Sequence, residues 1–424
     1  MLERFNKVFT VDDIEVFKRK IIHISTHFEN SIILNSNYSS TDYDLIFAYG
    51  LHSFLSSNKN SLKKLDDYVS QCKDWLFGFF SYDLKNEIEP LKSQNLLCHD
   101  LPNMYFFQPQ VIITIKENTV DLKYVAGINP VDELNKILNF KYSFKNQSVK
   151  NNLDLRFKKN DYVKSINNIK EHIRIGDIYE LNFCMDYYSN DIIIDPVKSY
   201  ISLNSLTESP MSALIKLKSF HLLSSSPERF IKKKNNRIKT QPIKGTARRD
   251  KDINNDLKNI NYLNNNSKEL SENHMIVDLV RNDLSRIAKK GTVTVKELSA
   301  LYSFKNVHQL ISTVEAEISN STKISKIMES TFPMGSMTGA PKIRSMELIE
   351  KFEKTQRGIY SGAVGYISPK KDFDFNVVIR SIIYDSQMNK LNINVGSAIT
   401  FASNPDQEFN ECKLKAEAMI SSLK

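Results

Sequence analysis

Apolar residues in the first 150 positions fall in short, nearly continuous runs, which predict strands buried on both faces, mixed with short helices. Ser31-Ile32-Ile33-Leu34, the stretch from Trp75 to Tyr82 and the stretch from Tyr105 to Ile115 are the clearest of these. Residues 139–154 then turn polar and repetitive in Lys and Asn. This predicts a linker between an N-terminal region, 1–150, and a second region, 151–424. Beyond the linker the period changes. Tyr162, Ile166, Ile169 and Ile173 recur at i, i+4, i+7 and i+11, the stripe of an amphipathic helix, with Gly176 as its C-terminal stop. Further helices are predicted over 268–289, from Pro341 onward and over 405–423, with a strand pair over 375–384 and 390–401. The Asn-rich segment 254–266 reads as a surface loop.

Composition narrows the class. The 424 residues are 41% hydrophobic and 10% aromatic, enough for a substantial core and too apolar for a disordered chain. No apolar run approaches the roughly 18 residues of a membrane helix. Met1-Leu2-Glu3-Arg4-Phe5 lacks the apolar segment of a secretory signal, so a cytoplasmic protein is expected. Cys72, Cys98, Cys184 and Cys412 lie far apart without a CxxC pair, which argues against a zinc site or a disulfide framework. The formal net charge of +9 is spread along the chain, with only short clusters such as Lys232-Lys233-Lys234. No nucleic-acid partner is expected, while an anionic small molecule is compatible. Glycine is scarce, 12 in all, and eight of the 12 follow residue 240, which points to tight backbone in the C-terminal half.

Several residues there could carry chemistry. Glu408, Glu411 and Lys415 share a helix face, and Glu269 and Glu272 repeat the i, i+3 spacing on another helix. Two such carboxylate pairs make a hard, oxygen-only site suited to Mg²⁺, although glutamates at this spacing also describe a solvated face with ion pairs. Gly335-Ser336-Met337-Thr338-Gly339-Ala340-Pro341-Lys342 enters a helix N-terminus but lacks the ending of a nucleotide-binding phosphate loop. In the predicted strand, period-2 alternation puts Asn376, Val378 and Arg380 on one face, where a buried guanidinium would suit a carboxylate. Lys244, in Gln241-Pro242-Ile243-Lys244-Gly245-Thr246, sits on a tight turn where desolvation would lower its pKa and make it a nucleophile. Glu228, in Ser226-Pro227-Glu228-Arg229, offers either a buried general acid or a salt bridge to Arg229.

Taken together, Ser226-Pro227-Glu228-Arg229-Phe230, Pro242-Ile243-Lys244-Gly245-Thr246, Val277-Asp278-Leu279-Val280-Arg281-Asn282-Asp283-Leu284, the Gly335–Lys342 loop, Gly358-Ile359-Tyr360-Ser361-Gly362-Ala363-Val364-Gly365-Tyr366 and Gly396-Ser397-Ala398-Ile399-Thr400 occur in the order seen in chorismate-utilising enzymes. The chain resembles the large subunits of anthranilate synthase and aminodeoxychorismate synthase, most strongly after residue 160. The resemblance implies an α+β fold of two packed antiparallel β-sheets flanked by helices, with the active site between the sheets. Lys in the Pro-Ile-x-Gly-Thr turn, where anthranilate and isochorismate synthases carry Ala, implies aminodeoxychorismate synthase chemistry in the synthesis of 4-aminobenzoate and folate.

By the same resemblance Lys244 attacks C2 of chorismate while Glu228 protonates the departing 4-hydroxyl, and ammonia then adds at C4 and expels the lysine. Glu272 and Glu411, with Glu269 and Glu408 nearby, hold Mg²⁺. Thr246, Tyr360, Arg380, Gly396, Ser397 and Lys415 match substrate-binding positions. Seven of the eight late glycines fall in these motifs, Gly291 being the exception as a helix cap. No Gly-x-Cys-x-Gly elbow is present, so ammonia is expected from a separate glutaminase subunit or from free ammonium. Ser36, Pro210, Met211 and Ser212 match a tryptophan pocket of relatives; Asn35 replaces the acidic residue of feedback-inhibited enzymes, which implies a structural rather than regulatory tryptophan. Two departures stand out: Glu180 occupies a position usually Gln, and Gln309 one where His is common, with no role transferred to His308. Anthranilate synthase and a catalytically silent chorismate-binding subunit are the alternatives.

Overall fold

A computed structural model describes residues 2–38, 42–144 and 153–424, so the boundary drawn at 150 and half of the expected linker lie outside the described residues. The three N-terminal runs form strands Asn30–Asn35, Leu76–Phe80 and Met104–Lys116, and every ladder between the described strands is antiparallel. One layer runs, strand beside strand, through Asn30–Asn35, Met211–Leu217, Phe220–Ser226, Ser381–Asp385, Lys390–Ile399 and Glu180–Ser189. The other runs through Leu76–Phe80, Ala363–Ile367, Phe373–Val377, Arg229–Lys234, Arg237–Gln241 and Val307–Glu317. The expected α+β architecture is therefore present. Its two layers are joined into one hydrogen-bonded network by the long strands Leu45–Ser57 and Met104–Lys116, whose pairing shifts register between Leu51 and Ser53. An irregularity of that kind bends a ribbon from one layer into the next.

Period-2 alternation sorts the side chains between two cores. Ile32, Leu34, Ala213, Ile215 and Leu222 join Phe77, Phe79, Phe230 and Phe375 in one cluster, whereas Ile33, Leu214 and Leu223 point the other way. The second cluster is closed by helices including Lys159–Arg174 and Pro405–Ser421. The predicted stripe of Tyr162, Ile166 and Ile169 is fully buried there, and Gly176 follows the C-cap with φ +80°.

Three local expectations fail. The Asn-rich segment is a helix, Ile253–Asn265, because Asp252 caps it by accepting from Asn255 N–H and Leu263 is buried beneath it. The helix expected over 268–289 ends at Ser285. The strand expected over 375–384 is two strands, Phe373–Val377 in one layer and Ser381–Asp385 in the other. Between them the chain changes layers, and Arg380 has left-handed backbone with φ +52°. Alternation counted along the sequence cannot survive such a crossing. The basic triplet is paired: Lys232 and Lys234 reach Asp42, and Lys233 reaches Asp372.

Candidate active site

A second crossing lies beside the first. Ser226-Pro227-Glu228 carries the chain from the strand Phe220–Ser226 to Arg229–Lys234, and Val377 N–H donates to the Glu228 carbonyl at 3.0 Å. Ser225 N–H donates likewise to the Arg380 carbonyl at 3.1 Å. Two adjacent crossings thus bring Glu228 and Arg380 into the space between the layers.

Glu228 is 4% exposed and accepts from Ser336 Oγ at 2.6 Å. Burial pushes its carboxyl up to about 7, against the opposing pull of Ser336 and of the Lys244 charge. The alternative salt bridge does not form, since Arg229 pairs with Asp374 at 2.9 Å. A carboxyl of this kind keeps its proton near neutrality and can deliver it.

Lys244 lies where the pairing of Ile243–Arg248 with Val307–Glu317 shifts register, next to Gly245 at φ +89°. A Cβ on Gly245 would approach Glu269 Oε2 to 3.2 Å. The Lys244 side chain is buried, with Nζ 2.5 Å from Glu180 Oε1 at the start of the strand Glu180–Ser189. The expected lowering of its pKa is not what the surroundings produce. Burial does pull the ammonium down, but the charges of Glu180 and Glu272 outweigh it and hold the group above lysine's usual value. Glu180 is 1% exposed and its Oε2 has no hydrogen-bond partner among the described residues. Its backbone is held against Gly339, where a Cβ would come within 2.1 Å of the Glu180 carbonyl.

The four metal candidates project from helices Ser267–Ser285 and Pro405–Ser421. Lys268 spans the two helices, 3.2 Å from Glu408 and 3.7 Å from Glu272. Burial raises Glu272 to about 7 despite Lys244, and its Oε1 is buried without a hydrogen-bond partner among the described residues. Burial also raises Glu269, whereas at Glu411 the burial effect is outweighed by Lys415, 2.5 Å away, and by Lys268, leaving its carboxyl below the usual value. Among the described residues no three acidic, His or Cys side chains already converge as a ligand set. An orphaned buried oxygen, and a lysine drawn between carboxylates, nonetheless mark a place that calls for positive charge and offers hard oxygen donors. Mg²⁺ fits that chemistry.

Among the other matched positions, Arg380 donates to the Lys415 carbonyl at 3.4 Å and forms no ion pair among the described residues; burial lowers its pKa. Tyr360 is 3% exposed beside Arg380, and burial, then the neighbouring Cys184, holds its hydroxyl protonated. Lys415 Nζ donates to the Gly396 carbonyl at 2.9 Å, and Ser397 Oγ lies 3.1 Å from Tyr162 OH. Thr246 is exposed and accepts from Gln309 Nε2 at 3.4 Å. His308 is turned away to Ser303 and Asp256.

The tryptophan-pocket candidates gather elsewhere. Ser212 faces Asn35 in the ladder, Ser212 Oγ donates to Ser224 O, Ser36 Oγ donates to Tyr38 O, and the Met211 carbonyl accepts from Asn376; Pro210 precedes this strand.

Sequence reasoning missed two groups. Ser336, inside a loop already singled out, holds Glu228. Arg357, just before Gly358, is fully buried and donates to both oxygens of Glu353, to Met337 O, Asn182 O and Ser361 Oγ. The position of Arg357 beside a glycine-rich motif was its only signal.

Residues 19–421 match the family described as chorismate binding enzyme. The chain belongs to that family. It is 31% identical over 360 residues to anthranilate synthase component 1 of Saccharolobus solfataricus, covering 85% of this chain and 83% of that protein. It is 30% identical over 362 residues to aminodeoxychorismate synthase component 1 of Bacillus subtilis, covering 82% and 76%. Among solved structures, anthranilate synthase component I of Streptococcus pneumoniae superposes with a TM-score of 0.76 at 22% identity, over 88% of this chain and 91% of that one. The menaquinone-specific isochorismate synthase of Escherichia coli gives 0.80 at 14% identity, over 100% and 95%. These two establish the fold alone. No helix among the described residues is long and apolar enough to cross a membrane.

Proposed function

We propose that this chorismate-binding enzyme aminates chorismate at C4, as component 1 of an aminodeoxychorismate synthase. The observation that carries this reading is the buried Lys244, 2.5 Å from the Glu180 carboxylate and near enough to Glu228 for the two charges to act on each other. Glu180 is the group in reach of the lysine proton; taking it frees the amine to attack C2 and turns a buried ion pair into a neutral one. Glu228 donates its proton as the C4–O bond breaks, so the 4-hydroxyl departs as water. Ammonia then adds at C4, the C2–N bond to Lys244 breaks, and the amine recovers a proton from Glu180.

Arg380, Lys415, Tyr360 and Thr246, with the backbone at Gly396 and Ser397, hold the two substrate carboxylates. Glu272, Glu411, Glu269 and Glu408 would hold Mg²⁺, which when bound neutralises the ring carboxylate. Ammonia comes from a separate glutaminase subunit, in keeping with relatives named component 1. The set around Ser36, Pro210, Met211 and Ser212 serves as a structural tryptophan pocket.

The comparable identity to an anthranilate synthase component 1 keeps amination at C2 as the second reading. Chorismate, Mg²⁺ and ammonium are supplied to the wild type and to Lys244→Ala, and products are resolved by chromatography. 4-Amino-4-deoxychorismate from the wild type only is expected; anthranilate from the wild type overturns the assignment. Without ammonia, mass spectrometry should find a chorismate-derived adduct on Lys244.

A further inference from the structure

Behind Glu228, on the side that Lys244, Glu180 and Glu272 do not line, lies a cavity of about 20 Å³. That is room for about one water molecule. Its apolar wall includes Phe230 and Leu284, and its polar wall includes Glu228, Ser336, Thr240 and Asp283, with Arg229 and Thr331 also in the lining. Ser336 already donates to Glu228, and Asp283 is paired with Lys342 at 2.5 Å. Thr240 is 5% exposed, and its hydroxyl is buried without a hydrogen-bond partner among the described residues. A hydroxyl left unpaired in a protein interior costs about 1–3 kcal/mol, so such groups are normally satisfied by protein or by a bound water. A single water touching Thr240, Ser336 and Asp283 would have the two to four polar partners that buried waters require.

Glu228 faces a difficulty that this water resolves. Each turnover takes its proton toward the substrate, and the carboxylate left behind must be reprotonated before the next. We propose that the cavity behind Glu228 holds one water, anchored by Thr240, that returns a proton to Glu228 through Ser336 from the side away from substrate. The proposal rests on Glu228 acting as the general acid. In the relay the Ser336 O–H bond breaks as its proton passes to Glu228 Oε1, and a proton from the water forms a new O–H bond on Ser336. The water regains a proton by way of the Asp283 carboxylate, which gives one up only as it receives another. Asp283 takes one from the ammonium of Lys342, which is 14% exposed and is replenished by solvent. Each transfer makes one bond and breaks one, with no redox change.

Thr240→Val keeps the side-chain shape and removes the anchor. Chorismate loss is followed irrespective of product, in single-turnover and steady-state modes, in H₂O and D₂O. The expected variant performs its first turnover at the wild-type rate, because Glu228 has equilibrated with solvent before mixing, while steady-state kcat falls roughly tenfold with a larger solvent isotope effect and an initial burst. Equal loss in both modes, as a merely structural role would give, overturns the relay, and so does no loss in either. A wild type that consumes no chorismate overturns the general-acid reading and the relay with it, whereas a wild type that turns over and yields anthranilate overturns only the site of amination. Independently of folding of the variant, a high-resolution structure of the unliganded wild type should show an ordered water beside Thr240 and Ser336; a dry cavity overturns the proposal.

Discussion

Two buried cation–carboxylate pairs lie close together in this chain and are built on opposite principles. Arg357 and Glu353, 1% and 3% exposed at their side chains, are joined at 2.6 Å. The guanidinium also serves two backbone carbonyls and Ser361, and lies over the Tyr82 ring. The second Glu353 oxygen is bonded as well, and its partner oxygen accepts from Cys184 N–H. Lys244 and Glu180 are also buried, at 9% and 1% exposure, yet one Glu180 oxygen has no hydrogen-bond partner among the described residues. A satisfied network fixes the fold, here by tying the 335–342 loop, the strand Glu180–Ser189 and the Tyr360 turn to one cation. An unsatisfied pair holds free energy that a ligand or a proton transfer can release.

Replacing each pair by apolar residues gives the largest test of this contrast. Arg357→Met with Glu353→Leu should lose roughly 3–5 kcal/mol in urea unfolding, because the carbonyls and hydroxyl served by the guanidinium are left unpaired. The same exchange at the other pair, Lys244→Met with Glu180→Leu, should leave stability unchanged or raised by about 1–4 kcal/mol while chorismate turnover falls by roughly 10²-fold or more. Equal destabilisation by both would erase the distinction.

Glu180→Gln sharpens the comparison. It keeps a hydrogen bond to Lys244 and removes the charge that holds the ammonium above its usual pKa, along with the base that takes its proton. Turnover at neutral pH should drop about tenfold, and adduct formation without ammonia should rise steeply with pH in the variant but not in the wild type. A variant with wild-type rate and pH dependence would remove Glu180 from the mechanism.

A last test concerns Glu228. Its folded pKa, about 7, lies above the ordinary carboxyl value, so its contribution to stability is complete below about pH 4.5 and is lost as pH rises through 7. Glu228→Gln cannot ionise; relative to the wild type its unfolding free energy should climb by about 2–3 kcal/mol between pH 4.5 and 7. A flat difference would mean that Glu228 is ionised throughout that range.

Much of this was legible beforehand. The strands Asn30–Asn35 and Met104–Lys116 and the stripe from Tyr162 to Ile169 are written in local periodicity. The motifs around Glu228, Lys244, Tyr360 and Gly396 could be read in order because each is a contiguous piece of backbone with its own glycine or proline. Arg380 was picked out, but for the wrong reason: it was placed by strand alternation, and the chain had already left the strand. The protonation of Lys244 was misjudged because the decisive neighbour, Glu180, lies 64 positions away in sequence. The Asn-rich helix was missed because its cap and one buried leucine outweighed the composition of its surface.

The sequence by itself determined which motifs are present and in what order, and where the clearest strands and the Tyr162 helix run, because these depend on neighbours within a few positions. Tertiary structure alone decided that two crossings between layers run side by side, that burial raises the Glu228 carboxyl while nearby carboxylates raise the Lys244 ammonium, and that a small cavity lined by the Thr240 hydroxyl sits beside Glu228. Burial and Coulomb interaction act through space over a few ångströms, and the order of residues along a chain does not contain those distances.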